Sequence, residues 1–297
     1  MKEPKLSPAL FWIIGFPFAA LWASASVASK IGLTAAQPFT ISFIRFTAAG
    51  LLMLIISHVF MQKQLPKGRQ WKQLAIYGLL NISLYLGLFI IAIGEVSAGL
   101  GSLAVAINPV IITVALTIWD KQKLAFTKIT SLLIGIVGVS ICSFPLIVAS
   151  HASVKGLIIL FLSMFVYSIG TIYFQKNKWD GLHLLTINGW QTLFGALFTL
   201  PALLLTWENN KNNFNISFWG ATFWLVFMVS IAAVQSWIFL LRNFGDRSSY
   251  WLFLSPIFGF IFSNFIMHEP ISSHTFLGTI LVLSSLYINT REKLKTT

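Results

Sequence analysis

Apolar residues run along this chain in stretches of about 20, the length a helix needs to cross the roughly 30 Å hydrocarbon core of a bilayer. Clusters of charged and turn residues separate them, leaving stretches at 9–29, 39–60, 73–93, 98–118, 128–148, 155–174, 183–206, 218–241, 248–267 and 275–290. The pattern predicts an all-α integral membrane protein with ten transmembrane helices, short loops and no extramembrane domain. Lys2 and Lys5 precede the first stretch, which contains Ala23-Ser24-Ala25, so a cleaved signal peptide has to be considered. The length of that stretch, and a counterpart later in the chain, instead make it a retained helix.

Composition sharpens this picture. Of 297 residues, 57% are hydrophobic and 9% charged, where soluble domains carry about 25% charged residues. A soluble surface cannot be built from so few. The net charge of +12 would suit nucleic acid, but the basic residues sit in short gaps between apolar runs, so no nucleic-acid partner is expected. Lys30, Lys155 and Lys211 alone occupy one side of the expected topology, Arg45 lies within the second stretch, and the remaining Lys and Arg fall in the alternate gaps and at the two ends. Basic loops are retained in the cytoplasm, which places both termini there, in a bacterial inner membrane. Cys142 is the single cysteine and lies in an apolar run, as a small buried hydrophobe.

The halves of the chain resemble each other. A shift of 145 residues sets Trp22 against Tyr167, Gly50 against Gly195, and Arg45-Phe46-Thr47 against Trp190-Gln191-Thr192. A shift of 147 aligns Pro109 with Pro256 and Ser131 with Gly278. Residues 1–150 and 151–297 are thus expected to be two repeats of five helices. An odd number of crossings makes them enter the membrane in opposite directions, the inverted repeat common in secondary transporters.

These features together resemble the drug/metabolite transporter superfamily, and within it the ten-helix group of two EamA-type repeats. The marks are Leu21-Trp22 leading to Lys30, Ser42-Phe43-Ile44-Arg45-Phe46, Asn81 with Tyr85 and Gly87, and the small residues from Ala98 to Pro109. The second half adds Gly189-Trp190-Gln191, Ser255-Pro256, and His268-Glu269-Pro270 followed by Gly278. The chain departs from the pattern after the fourth helix, where Asp120-Lys121-Gln122 stands in place of an expected Glu. The resemblance implies export of amino acids or other small metabolites, with drug efflux or solute uptake as the nearest alternatives.

Several residues could carry such transport. Arg45 is a charge well inside a stretch, costly in a membrane unless paired or hydrated, and it either serves a pathway or gate or snorkels to an interface. Pro109 and Pro256 each remove a helical hydrogen bond and are hinge candidates, with Asn108 and Ser255 beside them as ligand contacts. Asn81, Asn188, Gln191 and Gln235 need partners that lipid cannot supply, whether a substrate or a neighbouring helix. Trp22, Tyr85, Tyr167 and Trp190 lie away from the interfaces where aromatic residues usually collect. Gly15, Ala19 and Ala23, and Ala98, Ser102 and Ala106, form stripes expected to pack helices closely. Lys30 reads as a solvated helix end, and His268 with Glu269 as an exposed loop pair.

Some chemistries find no support. No Asp or Glu stands at mid-stretch to carry a proton, and no Gly-rich phosphate loop with its Lys is present. No metal or other cofactor is called for. A membrane enzyme acting on lipids would need convergent nucleophile and base groups, whereas His151, His183, His268 and His274 are scattered. A non-transporting membrane protein is the remaining alternative. The expected partners are a small-molecule substrate and the lipid bilayer, and a monomer suffices.

Overall fold

The computed structural model describes residues 8–119, 126–148, 152–244, 248, 251–252, 254–269 and 271–296. Among these all regular structure is helical. The stretches are α1 (Pro8–Leu33), α2 (Pro38–Phe60), α3 (Arg69–Glu95) and α4 (Ala98–Trp119), and α5 (Phe126–Val148). They continue with α6 (Val154–Lys176), α7 (Leu184–Thr206) and α8 (Ile216–Phe244), α9 (Ser255–Met267) and α10 (Ser273–Thr296). Seven of them, α1 to α4 and α6 to α8, are long and apolar enough to cross a membrane, and shorter apolar helices lie at Ile129–Cys142 and Ser255–Met267. The expected Asp120-Lys121-Gln122 departure and His151 fall outside the described residues.

Local chemistry sets the helix starts. Ser97 Oγ accepts a hydrogen bond from Leu100 N, Ser153 Oγ from Gly156 N and Asn215 Oδ1 from Phe218 N, each satisfying an amide that the helix leaves free. The ninth stretch starts later than the apolar run suggested, at Ser255 rather than 248, because Pro256 sits in the first turn. A proline there loses nothing, its missing N–H being one the helix cannot bond anyway. Pro256 is therefore a helix starter and not the mid-span kink expected of it. Pro109 is second in the segment Asn108–Trp119, after a turn at residues 106–107 that divides α4 from its first segment, Ala98–Val105.

Three helices contain π-helical turns, at Ile55–Phe60 in α2, Leu79–Leu84 in α3 and Leu225–Ala233 in α8. Such turns widen the backbone and are frequent at functional sites. Those in α3 and α8 occupy the third helix of each half.

Helix packing follows a regular scheme. α2 packs on α7, α4 on α9 and α5 on α10, while α1 packs on α8 and α3 on α6. Exchanging the first five helices for the second five maps this set of pairs onto itself. At one end the loops meet through Asn212 Nδ2, which donates to Gln37 Oε1 at 2.9 Å, and Ser153 N, which donates to Glu95 O at 2.9 Å. At the other end Gln70 Nε2 donates to Asp180 O at 2.8 Å and Gln73 Nε2 to Asn177 Oδ1 at 3.1 Å. Successive helices therefore run in alternating directions.

Glycines let these pairs approach to backbone contact, as in membrane bundles generally. A Cβ on Gly78 of α3 would collide with Gln191 O of α7, and one on Gly50 of α2 would stand 2.9 Å from Leu193 N. Gly138 of α5 and Gly278 of α10 face each other, each lying against the other's carbonyl oxygen. The stripes expected in α1 and α4 also pack. Ala19, Ala23, Ala98, Ser102 and Ala106 are buried, and Ser102 Oγ donates to Ala23 O at 3.2 Å. Large apolar side chains such as Leu205, Ile216 and Phe265 point outward, where a bilayer would solvate them.

Gly78→Ala forces α3 away from the α7 backbone and is expected to destabilise the protein by about 1–3 kcal/mol. Gly220→Ala, where an added Cβ meets nothing within 4 Å, should leave stability unchanged or slightly raised through helix propensity. Thermal unfolding of the purified variants in nanodiscs reads both, and equal melting temperatures would refute the close-approach assignment.

Candidate functional site

Between the halves lies a narrow internal cavity whose walls come from α1, α2, α3, α4, α8 and α9. Trp22, Arg45, Tyr85 and Ser255 line it, joined by Ser26, Ser102, Phe89, Val229 and Val234. Its volume is about 20 Å³, room for about one water molecule. As it stands, the space admits nothing larger than a water molecule.

Arg45 is the dominant group. Its side chain is 4% exposed and does not snorkel to either interface. Nε donates to Ser230 Oγ at 2.8 Å, and the guanidinium carbon stands 5.1 Å from the centroid of its neighbour Phe46. Among the described residues no carboxylate pairs with it, and neither terminal nitrogen finds a hydrogen-bond partner. Of the five N–H donors that a guanidinium carries, one is used by a partner among the described residues.

A chain of polar side chains extends from Arg45 across four helices. Ser230 lies in the π-helical turn of α8, and its carbonyl accepts from Asn188 Nδ2 at 3.2 Å. Asn188 Oδ1 accepts from Gln191 Nε2 at 3.1 Å and from Thr192 Oγ1 at 3.3 Å. Gln191 Oε1 in turn accepts from Asn81 Nδ2 at 3.1 Å, inside the π-helical turn of α3. Asn81, Asn188 and Gln191 thus satisfy one another behind the cavity wall.

The opposite wall is aromatic. Trp22 lies 6.0 Å from Tyr167 between ring centroids, and Tyr85 lies 4.8 Å from Tyr167. Trp237 stacks on Phe18 at 5.3 Å and closes the cluster behind Trp22. Trp22 and Tyr167, equivalent in the sequence repeat, therefore meet in space.

Three expected residues stand elsewhere. Trp190 is turned toward the basic end, where Nε1 donates to His58 Nε2 at 3.0 Å and the ring meets Trp71 edge-on at 4.6 Å. Asn108 is buried against α6, its Nδ2 3.3 Å from Met164 Sδ and its Oδ1 3.5 Å from Ser168 Oγ. Gln235 is half-buried next to the lining residue Val234, with Oε1 lacking a partner. Ser255 Oγ also lacks a partner, and it does face the cavity. Sequence reasoning missed Ser26 and Ser230 and read Ser102 only as part of a packing stripe, because a serine in an apolar run carries no mark of which neighbour it will meet. Ser26 Oγ and Ser102 Oγ lie 3.1 Å apart.

Above the cavity, at the end holding the α3–α4 and α9–α10 loops, Glu269 forms a latch. Its carboxylate accepts from Ala98 N at 2.8 Å and Gly99 N at 3.1 Å, the free amides that begin α4. Lys30 Nζ stands 3.6 Å from the same carboxylate and donates to Val96 O at 2.5 Å. The Lys30 and Glu269 side chains are 26% and 14% exposed, so the solvated readings of both are corrected. His268 turns the chain into this position with φ of 53°, a left-handed cap that ends α9.

Two larger spaces lie elsewhere. A groove of about 320 Å³ between α4, α5 and α6 is lined by Ile107, Ile136, Ile158 and Phe161 and opens on the outward apolar surface. A basin of about 580 Å³ at the basic end lies among Asn177, Lys178, Asp180 and Arg242. Neither reaches Arg45.

A multi-pass helical membrane protein with a central cavity is the class this arrangement defines. Comparison with known proteins gives the family: the model of the EamA-like transporter family matches residues 8–144 and again 154–291, and the chain belongs to that family, within the drug/metabolite transporter superfamily. It is similar to the uncharacterized transporter YvbV of Bacillus subtilis (strain 168), at 27% identity over 99% of this chain and 95% of that protein. An uncharacterized transporter of Archaeoglobus fulgidus is 25% identical over 92% of this chain and 94% of its own length. Protein PecM of Dickeya dadantii is 24% identical over 90% and 88%. A solved crystal structure matches with a TM-score of 0.69 and 15% identity over 96% of this chain and 99% of that one, which shows a shared fold.

Asn188→Ala leaves Gln191 and Thr192 without their acceptor and is expected to lower stability by about 1–3 kcal/mol, read by thermal unfolding. An unchanged midpoint would mean that water replaces the amide. Glu269→Gln should loosen the latch. In a Cys142→Ser background, Ser26→Cys is expected to react faster with a membrane-impermeant maleimide when Glu269→Gln is added, and an unaltered rate would show that the latch does not limit access.

Proposed function

We propose that the chain is a secondary transporter that exports amino acids or related small metabolites by alternating access, with substrate bound in the central cavity. The observation that carries this reading is Arg45, buried with free donors in a cavity bounded by helices of both halves. A structural guanidinium would be expected to end in carbonyls or a carboxylate. The exchange symmetry of the helix pairs supports ten crossings arranged as two inverted repeats, 1–150 and 151–297, rocking about the site between them. The uneven distribution of Lys and Arg supports a bacterial inner membrane with both termini cytoplasmic, and the Glu269 latch then lies on the outer side. On this reading the protein is a carrier and not an enzyme, needs no cofactor or nucleic acid, and works as a monomer in the bilayer.

Counterflow of radiolabelled amino acids and related metabolites in liposomes holding the purified protein tests it. Saturable flux that falls about tenfold or more with Trp22→Ala or Tyr85→Ala is the expected result. Flux of drugs alone, or inward accumulation by intact cells, would replace the exporter reading with efflux of foreign compounds or uptake. No flux over a broad solute panel, from a protein that remains folded, would overturn it.

A further inference from the structure

The charge balance of the cavity narrows what it accepts. Arg45 brings a full positive charge into a space walled by Trp22, Tyr85, Phe89, Val229 and Val234, and no acid lies within reach of it among the described residues. The described acids hold positions at helix ends or in loops: Glu95 pairs with Lys155 at 3.2 Å, Glu208 with Lys211 at 2.7 Å, and Glu269 with Lys30, while Asp180 lies between α6 and α7 and Glu292 in the last turns of α10. None of them pairs with Arg45. The other polar groups on lining residues are the hydroxyls of Ser26, Ser102, Ser255 and Tyr85 and the indole N–H of Trp22, which are neutral donors and acceptors.

A lone charge in a low-dielectric interior is strongly unfavourable, and an opposite charge supplied by a ligand relieves it. A ligand of net charge −1 leaves the occupied cavity neutral. A zwitterion leaves it with the same surplus positive charge as before and forces an ammonium into the same small space as the guanidinium. A cation doubles the surplus. The terminal nitrogens of Arg45 form a planar fork that matches a carboxylate with two parallel hydrogen bonds. The Trp22 and Tyr85 rings that line the same cavity suit an apolar or aromatic body, with the edges and faces of the rings as the contact.

We infer that the preferred substrate is a small organic monocarboxylate with an aromatic or bulky apolar body and no ammonium group, bound with its carboxylate on Arg45. This rests on reading the cavity as a transport site and narrows the amino acids and related metabolites proposed for it to organic acids, in preference to amino acids of the same shape. It has a second consequence for the protein alone. Because the guanidinium is uncompensated until ligand arrives, removing its charge should stabilise the unliganded protein, the opposite of what a structural arginine would do.

Three ligands of one shape test this: 3-phenylpropionate, phenylalanine and 2-phenylethylamine, titrated by calorimetry into the full-length protein in nanodiscs. The expected order has the acid binding tightest, phenylalanine about tenfold weaker or worse, and the amine not at all. Arg45→Gln should weaken the acid about thirtyfold or more, Arg45→Lys less, and unliganded Arg45→Gln should melt at or above the wild-type temperature. The melting measurement also shows that the variant folds. Phenylalanine or the amine binding as tightly as the acid, binding of none of the three, or an acid affinity indifferent to Arg45→Gln would overturn the inference. Arg45-dependent binding of the acid without counterflow of that acid would leave the inference standing and sink the transporter reading instead.

Discussion

Lipid offers no hydrogen-bond partner, so every polar group in this bundle has to be answered by another part of the chain or by a ligand. Arg45 is where that requirement bears hardest. One of its nitrogens is answered by Ser230, and from Ser230 the obligation passes to Asn188, Gln191, Thr192 and Asn81. The result ties α2, α8, α7 and α3 at one level of the bundle. The π-helical turns in α3 and α8 belong to the same arrangement, since Asn81 and Ser230 lie within them.

Around that centre the helices divide by how they touch. α2, α3 and α7 meet through Gly50, Gly78 and Gly195, and α5 and α10 meet through Gly138 and Gly278, all at backbone distance. Backbones packed that closely transmit movement as a unit, because close-packed interfaces shift between discrete arrangements more readily than they deform. The cavity borders α1, α4 and α9 on the other side, which are joined to one another by the side chains of Ser26, Ser102 and Phe260. Glu269 closes this second group at one end by capping α4 and pairing with Lys30 of α1. Parting the helices at that end would take a carboxylate away from two amides and an ammonium.

The aromatic wall and the polar chain do different work. Trp22, Tyr85, Tyr167 and Trp237 fill the centre with rigid surface that fixes the shape of the space. The free donors of Arg45 fix its sign. On the proposed transport reading, shape without charge would accept many apolar solutes, and charge without shape would be hydrated and unselective.

The sequence by itself determined the helices and the membrane. A run of apolar residues of bilayer length can satisfy its backbone only as a helix, so boundaries followed closely wherever charge or a capping residue ended the run, as at Ser97 and Ser153. It also marked Arg45, because a charge within such a run is conspicuous, and Trp22 with Tyr167, because a repeat sets them at equal positions. Tertiary structure decided the rest. Trp190 and Asn108 have the same chemistry as residues at the site, yet the rotation of their helices aims them at His58 and Met164. Glu269 read as a loop acid, since nothing local shows that the start of α4, 170 residues away, will need it. Ser230 is one hydroxyl among many until the fold brings it, from 185 residues along the chain, to Arg45. Periodicity and length are local properties of a chain in lipid, whereas which polar group answers which is settled only when distant helices are packed.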